Sequence, residues 1–187
     1  VTLDLAGCSD GELAALALAG RQSAYGELMR RHREPVYRLV RGHVGDADAA
    51  LDVTQQSFIA AFSALGRYDG ARPFRVWMAR IAINKCHDWT RRRAVRRLFS
   101  FALPIDAASD VADEAATPEE LLSDRQQLQR TMTAIAALPG SLKEPLILRT
   151  IEGLSQAETA LVLGISEKAV ETRVYRARAR LAESLRD

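Results

Sequence analysis

The stretch SQAETALVLGISEKAVETRVYRARARL, Ser155 to Leu181, leaves a folding chain little choice. Ser155 followed three residues later by Glu158 is a capping box that starts a helix at Gln156, and the run stops at Gly164. Ala160 is small enough to let two helices cross closely, Gly164 permits the left-handed backbone of a tight turn, and Ile165 can plug the space between the helices. Ser166 then caps a second helix on which Val170 and Val174 share one face, leaving Lys168, Glu171, Thr172, Arg173 and Arg176 for the outside. This is a helix-turn-helix pattern whose outward polar groups are the kind that base edges and phosphates require. The plain alternative is a basic helical hairpin, with Arg176, Arg178 and Arg180 as a solvated face.

Upstream the same helical period continues and nothing alternates with the period of a strand, so the expected fold is all-α. Ser9 with Glu12 gives another capping box and a short helix that Gly20 ends. Tyr25, Leu28, Met29, Val36, Val40 and Val44 carry a second helix to the Gly45-Asp46 break, with Pro35 a point of bending. A third helix is expected from about Ala49 to Leu65, and a fourth from near Pro73 to about Arg93. From Phe101 to Thr117 the chain turns to Ala, Asp and Ser with no sustained apolar stripe, the composition of a flexible linker. Thr117, Pro118 and Glu120 restart helix, and Glu144 to Glu152 leads into the helix-turn-helix. The expectation is two small helical domains, residues 1–98 and 118–187, joined by an acidic linker over 99–117.

A net charge of +2 hides strong segregation. From Arg72 to Arg97 bases recur with Asp88 as the only acid, whereas Asp106 to Asp124 holds seven acids and no base. Cys8 and Cys86 form no CxxC pair and complete no zinc pattern with the three histidines, so neither a structural disulfide nor a metal is expected. No charged-then-apolar leader and no apolar run of membrane-spanning length occurs, which makes the cytoplasm the default expectation.

Two helices in the first domain have unusual outer faces. On the third, Leu51, Phe58, Phe62 and Leu65 fall on the expected core side, while Asp52, Gln56 and Ser63, with Ile59 beside them and Gln55 at the edge, make a mixed stripe suited to a protein partner or to solvent. On the fourth, Phe74, Met78 and Ile81 mark the inner side, and Trp77, Arg80, Asn84, His87 and Arg91 follow each other along a neighbouring stripe. Ring, amide and guanidinium together are the groups that stack on unstacked bases, bond base edges and hold phosphates. Trp77 suits core or surface equally, and Trp89 suits partial burial. Arg91, Arg92, Arg93, Arg96 and Arg97 read as a phosphate track or as a solvated helix end.

Taken together, the chain resembles the extracytoplasmic-function (group IV) sigma factors of bacterial RNA polymerase over nearly its whole length. DVTQQSFIAAFSALGRYDG (Asp52–Gly70) is similar to the family's region 2.2 and RPFRVWMARIAINKCHDWTRRR (Arg72–Arg93) to regions 2.3 and 2.4. ALPGSLKEPLILRTIEGLSQAETALVLGISEKAVETRVYRARARL is similar to region 4. The resemblance implies sigma-2 and sigma-4 type domains, with Asp52, Gln55, Gln56, Phe58 and Ile59 docking on the polymerase β′ coiled coil. It implies that Trp77, Arg80, Asn84, Lys85, His87, Arg91, Arg92 and Arg93 serve the minus-10 element, with a flipped base held near the loop from Leu65 to Phe74. The helix from Glu167 to Arg180 would enter the minus-35 major groove through Glu171, Thr172, Arg173 and Arg176, with Ser166 and Lys168 near phosphates. It further implies promoter DNA and an anti-sigma factor, often membrane-anchored, as partners, and no cofactor. Two residues depart from the pattern: Gln56 stands where the family more often has Glu, and Glu171 where many relatives carry a basic or small residue. PFRVWMARIAINK followed by a basic run also resembles the metal-resistance subgroup.

The expected mechanism is a dissociable specificity subunit without catalytic chemistry, whose two domains are set at a defined separation only by core polymerase. A helix-turn-helix repressor or activator with a sensing or dimerising first domain is the competing class; it requires an apolar pocket or dimer seam in that domain. A nucleic-acid enzyme lacks support, because no metal-spaced carboxylate pair, phosphate-cradling glycine loop or nucleophile with a base occurs.

Overall fold

Side chains that bond the backbone a few residues away set the helix starts. In the computed structural model, which describes residues 4–100 and 119–186, the first helix, α1 (Asp10–Leu18), opens with the Ser9 amide donating to the Glu12 carboxylate at 2.7 Å while the Ser9 hydroxyl accepts from the Glu12 amide at 3.3 Å. The second, α2 (Gln22–Val44), runs unbroken through Pro35 and ends at Gly45, whose φ of 84° needs a residue without a Cβ. Asp46 caps α3 (Ala47–Ser63) through the Ala49 amide at 2.7 Å. A single 3-10 turn (Leu65–Arg67) leads on to α4 (Phe74–Ser100), which outlasts the expected end near Arg93 because AVRRLFS holds no helix breaker.

The second group comprises α5 (Glu119–Ala137), α6 (Gly140–Thr150), α7 (Gln156–Leu163) and α8 (Glu167–Ser184). Helix α6 begins four residues earlier than expected, since the Pro139 carbonyl already accepts from the amides of Leu142 and Lys143, both at 2.9 Å, and carries Pro145 inside. Most of the expected linker, residues 101–117, lies outside the described residues, as does the Thr117-Pro118 helix start; residues 99 and 100 continue α4.

Leu13, Leu28, Val40, Val53, Phe58, Phe74 and Met78 fill the centre of α1–α4, and Leu146, Leu148, Leu154, Val162 and Ala177 that of α5–α8. Burial of such side chains is worth roughly 1.5–3 kcal/mol each. One expectation fails on α3: Leu51 is exposed, and the innermost line is Ala50, Val53, Ser57 and Ala61. Small residues on this line let α3 lie close to α2 and α4, with Phe58 buried beside them and Leu51 left on the outer flank.

The two groups of helices are packed together on one continuous core. Helix α6 lies against α2 where Gly42 faces Ile147, and α7 lies against α4. Ion pairs cross the same contact, Arg75 to Glu158 at 2.6 Å and Arg38 to Glu152 at 3.5 Å, and His43 and His87 are both hydrogen-bonded to Glu144. Among the described residues no helix is long and apolar enough to cross a membrane.

Candidate nucleic-acid interface

The helix-turn-helix forms as its local signals require. The Ser155 amide donates to the Glu158 carboxylate at 2.7 Å, the Ser155 hydroxyl accepts from the Glu158 amide at 3.1 Å, and Gly164 takes φ 65° at the turn. Gln156 reaches across the turn, its Nε2 donating to the Glu167 carbonyl at 3.0 Å, and Ser166 caps α8 through the Ala169 amide at 3.2 Å. Val170 and Ala177 are buried and Val174 is half-buried, so the opposite side of α8 must face outward.

That outward side holds Ser166, Lys168, Glu171 and Arg176 exposed, with Thr172 and Arg173 half-buried. The Thr172 hydroxyl donates to the Lys168 carbonyl at 2.9 Å, which leaves its oxygen as an acceptor. Lys168 and Glu171 pair at 2.8 Å, so the acid in this unusual position is partnered within its own helix. The pair is solvated and contributes little to stability. Two further residues belong to the same surface: Tyr175, 76% exposed, which the helical pattern did not single out, and Arg178, which was expected only as part of a solvated face. Their signal was available, because Tyr175 lies seven residues after Lys168 and therefore on its face. With Arg149 and Gln156 they line a cleft of about 450 Å³ beside α8.

On α4 the stripe is present but uneven. Arg80, Asn84, Arg91, Arg92 and Arg93 are exposed and Lys85 is half-buried. Trp77 is half-buried under the loop, its ring 5.2 Å from Tyr68 and 5.4 Å from Phe74. Arg91 pairs with Asp88, and the Arg93 guanidinium stacks 5.1 Å from the Trp89 ring, which is half-buried. His87 does not stand free with the others, because its Nε2 is 2.6 Å from Glu144 of α6. Beside it Cys86 is buried, and that burial pushes its thiol up to about 12, leaving it an inert core residue.

On α3, Asp52, Gln55 and Gln56 are exposed and Ile59 stands out at 60%. Phe58 turns the other way: at 3% exposure it packs in the core, so it holds the helix in place and presents no surface. Trp89, Val95 and the Arg91–Arg92 pair of α4 join Asp52 and Gln56 in an open groove of about 770 Å³.

The contact between the two helix groups carries its own electrostatics. Burial works to raise the Glu158 carboxyl, but hydrogen bonds from the Ser155 amide, Arg75 and the Ser155 hydroxyl outweigh it and hold the group below its ordinary value. Burial likewise opposes ionisation of Glu144, and the His43 and His87 imidazoles overcome it. Glu152 goes the other way: burial lifts it to about 7 despite Arg38.

Residues 28–96 match the Sigma-70 region 2 family, and residues 128–181 match the family described as Sigma-70, region 4. The chain is 39% identical over 181 residues to the RNA polymerase sigma factor CnrH of Cupriavidus metallidurans, covering 95% of this chain and 94% of that protein. It is 34% identical to the ECF RNA polymerase sigma factor SigM of Mycobacterium tuberculosis, covering 95% and 85%. Among solved structures, CnrH in complex with the cytosolic domain of CnrY superposes with a TM-score of 0.69 at 34% identity, covering 94% of this chain and 96% of that one. The sigma factor RpoE bound to the anti-sigma factor NepR, from Bartonella quintana, superposes at 0.68 with 20% identity, over 87% of this chain and 96% of that one, a likeness of fold.

Proposed function

This chain belongs to the extracytoplasmic-function sigma factors of the sigma-70 family, and on that premise we propose how its residues divide the work. Sigma factors are transcription initiation factors that act with core RNA polymerase on promoter DNA. Residues 1–98 engage core polymerase and the minus-10 element, residues 118–187 read the minus-35 element, and 99–117 join them. Asp52, Gln55, Gln56 and Ile59 meet the polymerase, with Phe58 setting their helix from inside. Trp77, Arg80, Asn84, Lys85 and Arg91 to Arg93 handle the opened minus-10 strand, and His87 joins them once Glu144 withdraws. Ser166, Lys168, Glu171, Thr172, Arg173 and Arg176, extended by Tyr175 and Arg178, face the minus-35 groove. No residue acts as a catalyst, and the working compartment is that of polymerase and chromosome, the cytoplasm.

The observation that carries this reading is the pairing in one chain of two outward faces of different chemistry: the ring, amide and guanidinium stripe of α4 and the mixed polar face of α8. Elements centred near minus 10 and minus 35 lie about 25 base pairs apart, or about 85 Å at 3.4 Å per base pair. A compact body of this length has a radius of gyration of about 16 Å. The packed arrangement therefore cannot touch both elements, and the minus-35 domain must leave the α2–α4 surface when the chain binds core. An anti-sigma factor, membrane-anchored in the manner frequent in the family, restrains this chain by covering exposed apolar positions such as Ile59, Val95 and Leu98.

Transcription in vitro with purified core polymerase tests the proposal. The chain should stimulate a transcript from its own operon promoter, and Asn84→Ala should abolish it while core binding persists. No stimulation from any candidate promoter would favour a repressor. Tight, specific promoter binding in a gel shift without core would overturn the requirement for opening.

A further inference from the structure

The three histidines and two cysteines of this chain show no metal-ligand spacing in sequence, but the fold brings two of the histidines to one point. His43 of α2, His87 of α4 and Glu144 of α6 converge where the two helix groups meet, with their ligand atoms all within 4.8 Å of one another. The Nε2 atoms of His43 and His87 lie 3.3 and 2.6 Å from the same Glu144 oxygen. We propose that these three side chains form a site for one divalent cation of the zinc class, and that the cation fastens the minus-35 domain onto the minus-10 domain.

Geometry supports the cation. Ligand atoms around a tetrahedral zinc ion, with bonds of about 2.0–2.1 Å, lie roughly 3.3 Å apart. The His43–Glu144 edge already has that length, the His87–Glu144 edge has to open by about 0.7 Å to reach it, and the ligand nitrogens of the two histidines lie within 4.8 Å of each other. Two imidazole nitrogens and a carboxylate oxygen suit zinc, nickel or cobalt and not magnesium or calcium, which prefer all-oxygen shells. Lys143, next in sequence to Glu144, does not compete for the carboxylate, because its ammonium donates to the backbone carbonyls of His43 at 3.0 Å and Ala136 at 2.6 Å.

Access and rigidity fit as well. His43 and Glu144 are buried, which fixes their positions, while the His87 side chain is 48% exposed and leaves an entry path and room for a water ligand. Both histidines sit on the minus-10 domain and the glutamate on the other, so the set is complete only in the closed chain. A ligand that binds only the closed form stabilises it in proportion to the logarithm of its concentration over its dissociation constant. The site does not rest on the residue-level promoter reading, because binding and closure are both measurable without polymerase or DNA.

The test uses the full chain stripped by a chelator, titrated with Zn2+ and separately with Mg2+ in a calorimeter, and sized by small-angle X-ray scattering with and without Zn2+. One Zn2+ per chain, no Mg2+ binding and a smaller radius of gyration with Zn2+ are expected. His87→Ala removes a half-exposed side chain and keeps the fold, and it should weaken Zn2+ binding at least about tenfold. Glu144→Gln should abolish the Zn2+-dependent compaction, and His32→Ala should change neither readout. Equal affinity in the wild type and His87→Ala, or no binding at all, would overturn the site. Binding that depends on His87 but leaves the radius of gyration unchanged would overturn the fastening role.

Discussion

Gly42 offers a direct way to pry the two domains apart. A Cβ at this position would lie 3.1 Å from Ile147 Cδ1, 3.4 Å from its Cγ1 and 3.6 Å from Ile151 Cδ1, all ends of side chains on or just beyond α6. Alanine adds only that atom, and a gain of about 1 kcal/mol in helix propensity works against the cost of moving Ile147 by a few tenths of an ångström, so Gly42→Ala should stay folded and closed, within about 1 kcal/mol of the wild type. Leucine keeps the helix propensity but forces three further carbons into a contact where Ile147 is fully buried. Overpacking of that kind costs about 1–3 kcal/mol. The chain has a cheaper response than strain, since α6 can move off α2 with both domains intact. A loss of about 2 kcal/mol from closure corresponds to a shift of roughly thirtyfold towards the open form. Small-angle scattering should show Gly42→Leu expanded and Gly42→Ala compact, with circular dichroism reporting unchanged helix content in both. A folded Gly42→Leu variant with the wild-type radius of gyration would refute the claim that the Gly42–Ile147 approach holds the domains together.

Other outcomes follow from single residues. Ser155→Ala removes the hydroxyl that caps α7 and should cost about 1 kcal/mol, seen as a lower melting temperature; an unchanged value would remove the cap from the account of the helix-turn-helix. Ile59→Asp, at an exposed position, should leave the melting temperature intact and weaken binding to core polymerase or to an anti-sigma factor; unchanged affinity for both would strike the α3 stripe from the interface. Glu152, raised by burial from an ordinary 4.5 to about 7, favours its protonated form when packed, so the stability it leaves is greatest below pH 4.5 and is lost as pH rises through 7. His43, lowered by burial, acts in the opposite sense below pH 6.5, and comparison with Glu152→Gln isolates the carboxylate. That variant should gain stability over the wild type at pH 8, on the order of 1–3 kcal/mol, and little at pH 4; an equal gain at both would disprove the assignment.

Whatever depended on neighbours three or four residues away was legible in the chain. Both capping boxes, the glycine turns at Gly45 and Gly164 and the outward polar side of α8 follow from side-chain to backbone bonds and from the helical period. The same period placed Arg80 and Asn84 together on α4, and would have placed Tyr175 beside Lys168. Periodicity was less decisive about which part of an apolar arc faces inward. Leu51 and Ala50 are adjacent, and the close approach of α3 to its neighbours selected the alanine.

The sequence by itself determined an all-α chain, the positions of its turns and the chemistry of its two outward helix faces, because those are set locally. Tertiary structure alone decided that Leu51 stays outside the core, that the Glu158 of the α7 cap also holds Arg75 83 positions away, and that His87 meets Glu144 57 positions away. Contacts between such distant residues leave no spacing to read, since they are fixed by how whole helices pack, and the closure of the two domains is made of contacts of that kind.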